Sequence, residues 1–114
     1  MITLWHNPRC SKSRQALALL EVAGAEVSLR RYLDDAPDLA ELQAARAALG
    51  MPPVIAMMRK GEAVFKTLGL GPQSSDDALL AAMVAHPILI ERPIAFKDGR
   101  AVIGRPPEAV QDLL

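Results

Sequence analysis

Apolar positions along this chain fall into short runs whose period changes abruptly. Ile2–Trp5 is a compact, mostly apolar run that Asn7 and Pro8 soon close, so it reads as a buried strand rather than a helix. From Ser11 the spacing becomes helical. Ala16, Leu19, Leu20 and Ala23 fall on one face, and Gly24 supplies the stop. Glu26 to Tyr32 then alternates, Val27 and Leu29 against Glu26, Ser28 and Arg30, as a half-buried strand does. Strand, helix and strand in succession form a βαβ unit, which makes the first two strands parallel.

The middle of the chain is helical. Asp34–Asp38 is a turn that also caps a helix carrying Leu39, Leu42, Ala45 or Arg46, and Leu49, ended by Gly50. Val54–Met58 follows Pro52-Pro53 as a short helix. Another surrounds Ala63, Phe65 and Leu68 and closes at Gly69-Leu70-Gly71-Pro72. Ser74 with Asp77 matches a capping box for a helix through Leu79, Leu80 and Met83 to His86, where Pro87 stops it. Near the end, Ile94–Phe96 and Ala101–Ile103 flank Lys97-Asp98-Gly99-Arg100, and Asp-Gly between apolar runs predicts an antiparallel hairpin. Pro106 and Pro107 suit the first turn of a last helix, with Val110 and Leu113 facing inward. This order predicts an α/β, thioredoxin-like (glutaredoxin-like) fold: a four-stranded mixed sheet with a helical insertion before the hairpin. No linker, repeat or low-complexity stretch splits it, so residues 1–114 are expected to form a single domain.

Composition sharpens this. Of 114 residues 51% are hydrophobic but only 4% aromatic, so the core must be aliphatic. Thirteen basic residues balance thirteen acidic ones, which leaves no overall field for nucleic acid or an anionic membrane; charge must act locally. The N-terminus lacks the basic start and long apolar region of a signal peptide, and no run reaches membrane-span length. A cytoplasmic location is therefore expected. The one cysteine excludes an intramolecular disulfide. With only His6 and His86 besides, no bound metal and no tightly held cofactor is expected.

That cysteine, Cys10, is predicted at the start of the first helix, where unpaired N–H groups and the positive dipole end stabilise an anion. Arg9, Lys12 and Arg14 add positive charge. Its polar and turn-forming neighbours argue against burial in an apolar core, the usual place of an inert thiol. Ser13 stands where a Cys-x-x-Cys motif would carry its resolving cysteine. The resolving sulfur must then come from another molecule, glutathione or a partner redoxin. Arg59, Arg92 and Arg105 lie at element boundaries, and a guanidinium grips tetrahedral oxyanions in bidentate fashion. Arg92-Pro93, at the start of the hairpin, is the expected cis-proline of such a fold. His6 precedes Cys10 closely enough to orient near the thiolate; His86 reads as structural.

The segments His6-Asn7-Pro8-Arg9-Cys10-Ser11-Lys12-Ser13-Arg14, Met58-Arg59-Lys60, His86-Pro87-Ile88-Leu89-Ile90-Glu91-Arg92-Pro93 and Gly104-Arg105-Pro106-Pro107 together resemble the glutaredoxin-linked arsenate reductases, the ArsC family. The wording around the cysteine looks like that of a chromosomal subgroup. The resemblance runs end to end and implies a glutathione- and glutaredoxin-dependent reductase of arsenate. Cys10 would be the nucleophile and His6 would tune it. Arg59, Arg92 and Arg105 would hold the oxyanion, with Ser13 also at the substrate and Pro93 shaping the site. Two alternatives share the fold: a glutathione-dependent thiol reductase acting on another substrate, and a non-enzymatic regulator of the Spx type. Arginines convergent on Cys10 separate the oxyanion enzyme from the regulator.

Overall fold

One of the two inner strands of the sheet is β1 (Ile2–Trp5), and a computed structural model describing residues 1–114 shows what is built on it. β2 (Val27–Arg30) pairs with it in parallel, Ile2 opposite Val27 and Trp5 opposite Arg30. On the other side β3 (Ile94–Lys97) runs antiparallel, Trp5 opposite Ile94, and β4 (Arg100–Ile103) continues the hairpin. The sheet order is β2-β1-β3-β4, the predicted mixed sheet. Asp98 and Gly99 turn the hairpin with positive φ at both positions, the geometry that favours Asp-Gly there.

The chain divides into two compact units. The first joins Met1–Asp35 to Arg92–Leu114. In it Ile2 and Leu4 face α1 (Ser11–Val22) and the C-terminal segment, and pack with Ala16, Leu20, Ala95, Val110 and Leu113. Burying a leucine this way contributes roughly 1.5–3 kcal/mol. Trp5, on the opposite pleat, lies beside Phe96, with ring centroids 4.8 Å apart. α1 ends at Gly24, whose φ of +79° is the left-handed stop the sequence suggests. β2 is shorter than the alternation implied, and Leu29 is exposed because β2 is an edge strand. The last helix is a 3-10 segment, Pro107–Leu113, rather than an α-helix, with Val110 and Leu113 inward as expected.

The second unit, Ala36–Glu91, is the helical insertion. α2 (Leu39–Ala48) opens on a full capping box between Asp38 and Glu41. It packs Leu42 and Ala45 toward α4 (Asp76–Ala85), while Leu39, expected on that face, is exposed. A 3-10 turn at Val54–Met57, the short α3 (Ala63–Thr67) and a second 3-10 turn at Pro87–Leu89 complete the unit. The expected Ser74–Asp77 box does not form. Ser74 Oγ instead accepts from the Gly71 amide and closes that turn, so Ser75 takes the cap, accepting from Ala78 N–H at 3.1 Å. A bridge between Met58 and Ile90 brings both ends of the insertion's core together, with the Glu91 amide bonded to the Met57 carbonyl at 2.7 Å. No helix is long and apolar enough to cross a membrane.

Candidate active site

At the C-terminal end of β1 the chain leaves the sheet and winds into α1 through a tightly bonded loop. The His6 amide still donates to the Arg30 carbonyl at 2.8 Å, extending the parallel ladder one residue past the strand. Asn7 then organises the turn: its carbonyl accepts from Cys10 N–H at 3.0 Å, and its Oδ1 accepts from the Arg9 amide at 3.0 Å. Arg14 reaches back to donate to the Pro8 carbonyl at 2.9 Å. Cys10 is the extended N-cap of α1 and only partly buried, so its sulfur can be reached.

The field at that sulfur is one of opposed effects. Burial pushes the Cys10 thiol up. The backbone amide of Ser13, the Arg92 guanidinium and the Lys12 amide act the other way, and together with the charge of Arg92 they hold it below an ordinary thiol. Arg105 adds a second guanidinium, Nη2 lying 3.9 Å from Sγ. Arg105 is braced by its own chain, since its Nε donates to the Arg92 carbonyl at 3.0 Å. The Arg92–Pro93 bond is cis, as expected, and Arg105–Pro106, which the sequence reading did not anticipate, is cis as well. Gly104 N–H donates to the Pro93 carbonyl at 2.8 Å. A Cβ at Gly104 would come within 2.6 Å of Pro93 Cγ, so glycine is required for this approach.

Beneath the loop His6 and Ser13 form a buried pair, Nδ1 to Oγ 2.6 Å apart. Ser13 Oγ also accepts from the Asn7 amide at 3.1 Å, so its single proton is free to go to His6. Burial, followed by the charges of Arg31 and Arg14, lowers the His6 pKa and keeps the ring neutral, consistent with Nδ1 as acceptor. Ser13 was expected to reach the substrate. Its hydroxyl is fully buried, and what it offers the sulfur is its backbone N–H. Arg59 belongs to the second unit, where its Nε donates to Glu62 at 2.9 Å and its Nη1 lies 3.5 Å from Glu91.

Three residues escaped the sequence reading. Asn7 is buried and holds the loop by both its main chain and its side chain. Gly104 is fixed by contact rather than by a turn. Tyr32 is fully buried, and its phenol interacts electrostatically with the Arg92 guanidinium. Asn-Pro and a lone tyrosine in a polar segment were the available signals. On the other flank of the loop, a cleft of about 260 Å³ is lined by His6, Asn7, Pro8, Arg9, Arg31, Leu33 and Asp34.

The chain that carries this cysteine and these arginines is similar along its length to known proteins. A relative from Neisseria meningitidis serogroup A named arsenate reductase is 46% identical, the match covering 99% of this chain and 97% of the relative. One from Haemophilus influenzae with the same name is 41% identical, covering 99% and 98%. The solved structure of an arsenate reductase from Vibrio cholerae superposes with a TM-score of 0.95 at 49% identity, covering 99% of this chain and 97% of that one. The sequence pattern of the ArsC family matches residues 5–113, and this chain belongs to that family.

Proposed function

We propose that this protein reduces arsenate to arsenite with glutathione as co-substrate and glutaredoxin as recycling partner, acting in the cytoplasm. The observation that carries this reading is a single activated sulfur set against two guanidinium groups, Arg92 and Arg105. A thiolate and an oxyanion repel each other, and fixed positive donors remove that barrier while stabilising charge that builds on the oxygens. The Cys10 sulfur displaces one arsenate oxygen as water and forms a sulfur–arsenic bond. Glutathione then engages the adduct. Closing a disulfide between Cys10 and the glutathione sulfur supplies the two electrons that take arsenic from the pentavalent to the trivalent state, and arsenite leaves. Glutaredoxin removes the glutathionyl group and restores the thiolate.

The family's naming supports arsenate as substrate. The count of cysteines supports an external thiol, because no second thiol exists in the chain. The cleft beside Pro8 and Arg9 suits glutathione, offering Arg9 and Arg31 to its carboxylates and Asp34 to its amine. Arg59 enters this reading on its motif alone. Arsenate-dependent NADPH oxidation, coupled through glutathione, glutaredoxin and glutathione reductase, is the test. Turnover that needs both thiols and disappears in Cys10→Ser supports the reading; no arsenate-dependent rate with every component present overturns it.

A further inference from the structure

We infer that Tyr32, fully buried beside the active-site loop, is a positioning residue whose hydroxyl holds the Arg92 guanidinium against the Cys10 sulfur. The backbone sets up the encounter. Trp5 at the end of β1 is flanked by Arg30 on one side and Ile94 on the other. Two residues beyond Arg30 comes Tyr32, and two residues before Ile94 comes Arg92. Both therefore arrive at the end of the sheet from which the Cys10 loop springs. Arg92 is half-buried, and its guanidinium interacts electrostatically with both the Tyr32 hydroxyl and the Cys10 sulfur.

A long arginine side chain has several rotatable bonds, and the pull of a thiolate fixes only one end of it. A phenolic oxygen with a lone pair facing the guanidinium supplies a second point of attachment. Because the ring is entirely enclosed, it cannot swing away when substrate enters. A purely structural tyrosine would be served as well by phenylalanine, which fills the same space in an apolar core. A hydroxyl placed against the cation that faces the nucleophile is what distinguishes the two roles. This assignment deepens the reading above and rests on it only for the substrate; the thiolate can be followed without arsenate.

Tyr32→Phe removes the oxygen and keeps the ring. Alkylation of Cys10 by iodoacetamide, followed against pH, is expected to show a midpoint raised by about 0.5 unit or more, roughly a threefold loss of thiolate below it. The same substitution in an Arg92→Gln background is expected to add nothing further, since the residue acts through Arg92. A second measurement leaves Tyr32 in place. It is the only tyrosine in the chain, so phenolate absorbance reports it alone. Replacing Arg92 with Gln is expected to move that titration to higher pH by removing the adjacent cation. An unchanged Cys10 midpoint in Tyr32→Phe, an equal shift in the double variant, or a phenolate titration indifferent to Arg92 would each overturn the assignment.

Discussion

The groups that hold the Cys10 thiol below its ordinary pKa are individually weak. Two backbone amides, one guanidinium and its charge overcome the cost of partial burial. In the wild type the alkylation midpoint is therefore expected below the value near 8.5 of a free thiol. A midpoint at or above that value would show the sulfur not to be activated. Arg92→Ala is expected to cost about 2–4 kcal/mol of transition-state stabilisation, the size of a lost oxyanion donor. Arg92→Lys should recover only part of it, because an ammonium has no planar fork, and kcat/KM for arsenate measures both. His6 makes a different prediction. Its lowered pKa means that the unfolded chain binds a proton more readily, so its contribution to stability is complete above the ordinary value of 6.5. That contribution is lost as pH falls through the folded value. Thermal unfolding of the wild type should weaken on acidification below about pH 6.5 more steeply than that of His6→Gln.

At the scale of elements, the hairpin is what delivers the arginines. Arg92 precedes β3 and Arg105 follows β4, and the Pro93–Gly104 contact seals the open end of the hairpin between them. Gly104→Ala would force Pro93 or its partner to shift, and arsenate turnover should fall severalfold. α2, in the other unit, offers a control. Asp38→Ala removes the capping box and should lower stability by about 1 kcal/mol, read by denaturant unfolding, with kcat unchanged. These elements also show what a sequence discloses. The strand and helix order, the hairpin turn and the cysteine at a helix start were legible because each rests on local spacing or on Gly, Pro and Asp chemistry. The Ser74 cap was misplaced because two serines adjoin, and only the Gly71 turn decides between them. Tyr32 and Gly104 were invisible for a deeper reason: their partners, Arg92 and Pro93, are distant in the chain and met only through β1 and the hairpin.

For the whole molecule, a single thiol dictates the form of every disulfide state. After arsenate and glutathione are supplied together, mass spectrometry should find one glutathionyl group on Cys10, and none in Cys10→Ser. Arsenate turnover without any added thiol would contradict this scheme. The same inner strand that leads to that thiol also carries the chain's only tryptophan. Trp5 lies beside Phe96, with the Arg30 guanidinium 5.7 Å from its ring, five residues before Cys10. Its emission is thus an intrinsic optical reporter, uncontaminated by any second indole, of whether the floor of the site is intact. A Cys10 variant that loses activity while keeping the wild-type emission maximum has lost chemistry alone; one whose spectrum shifts to the red has lost the strand as well.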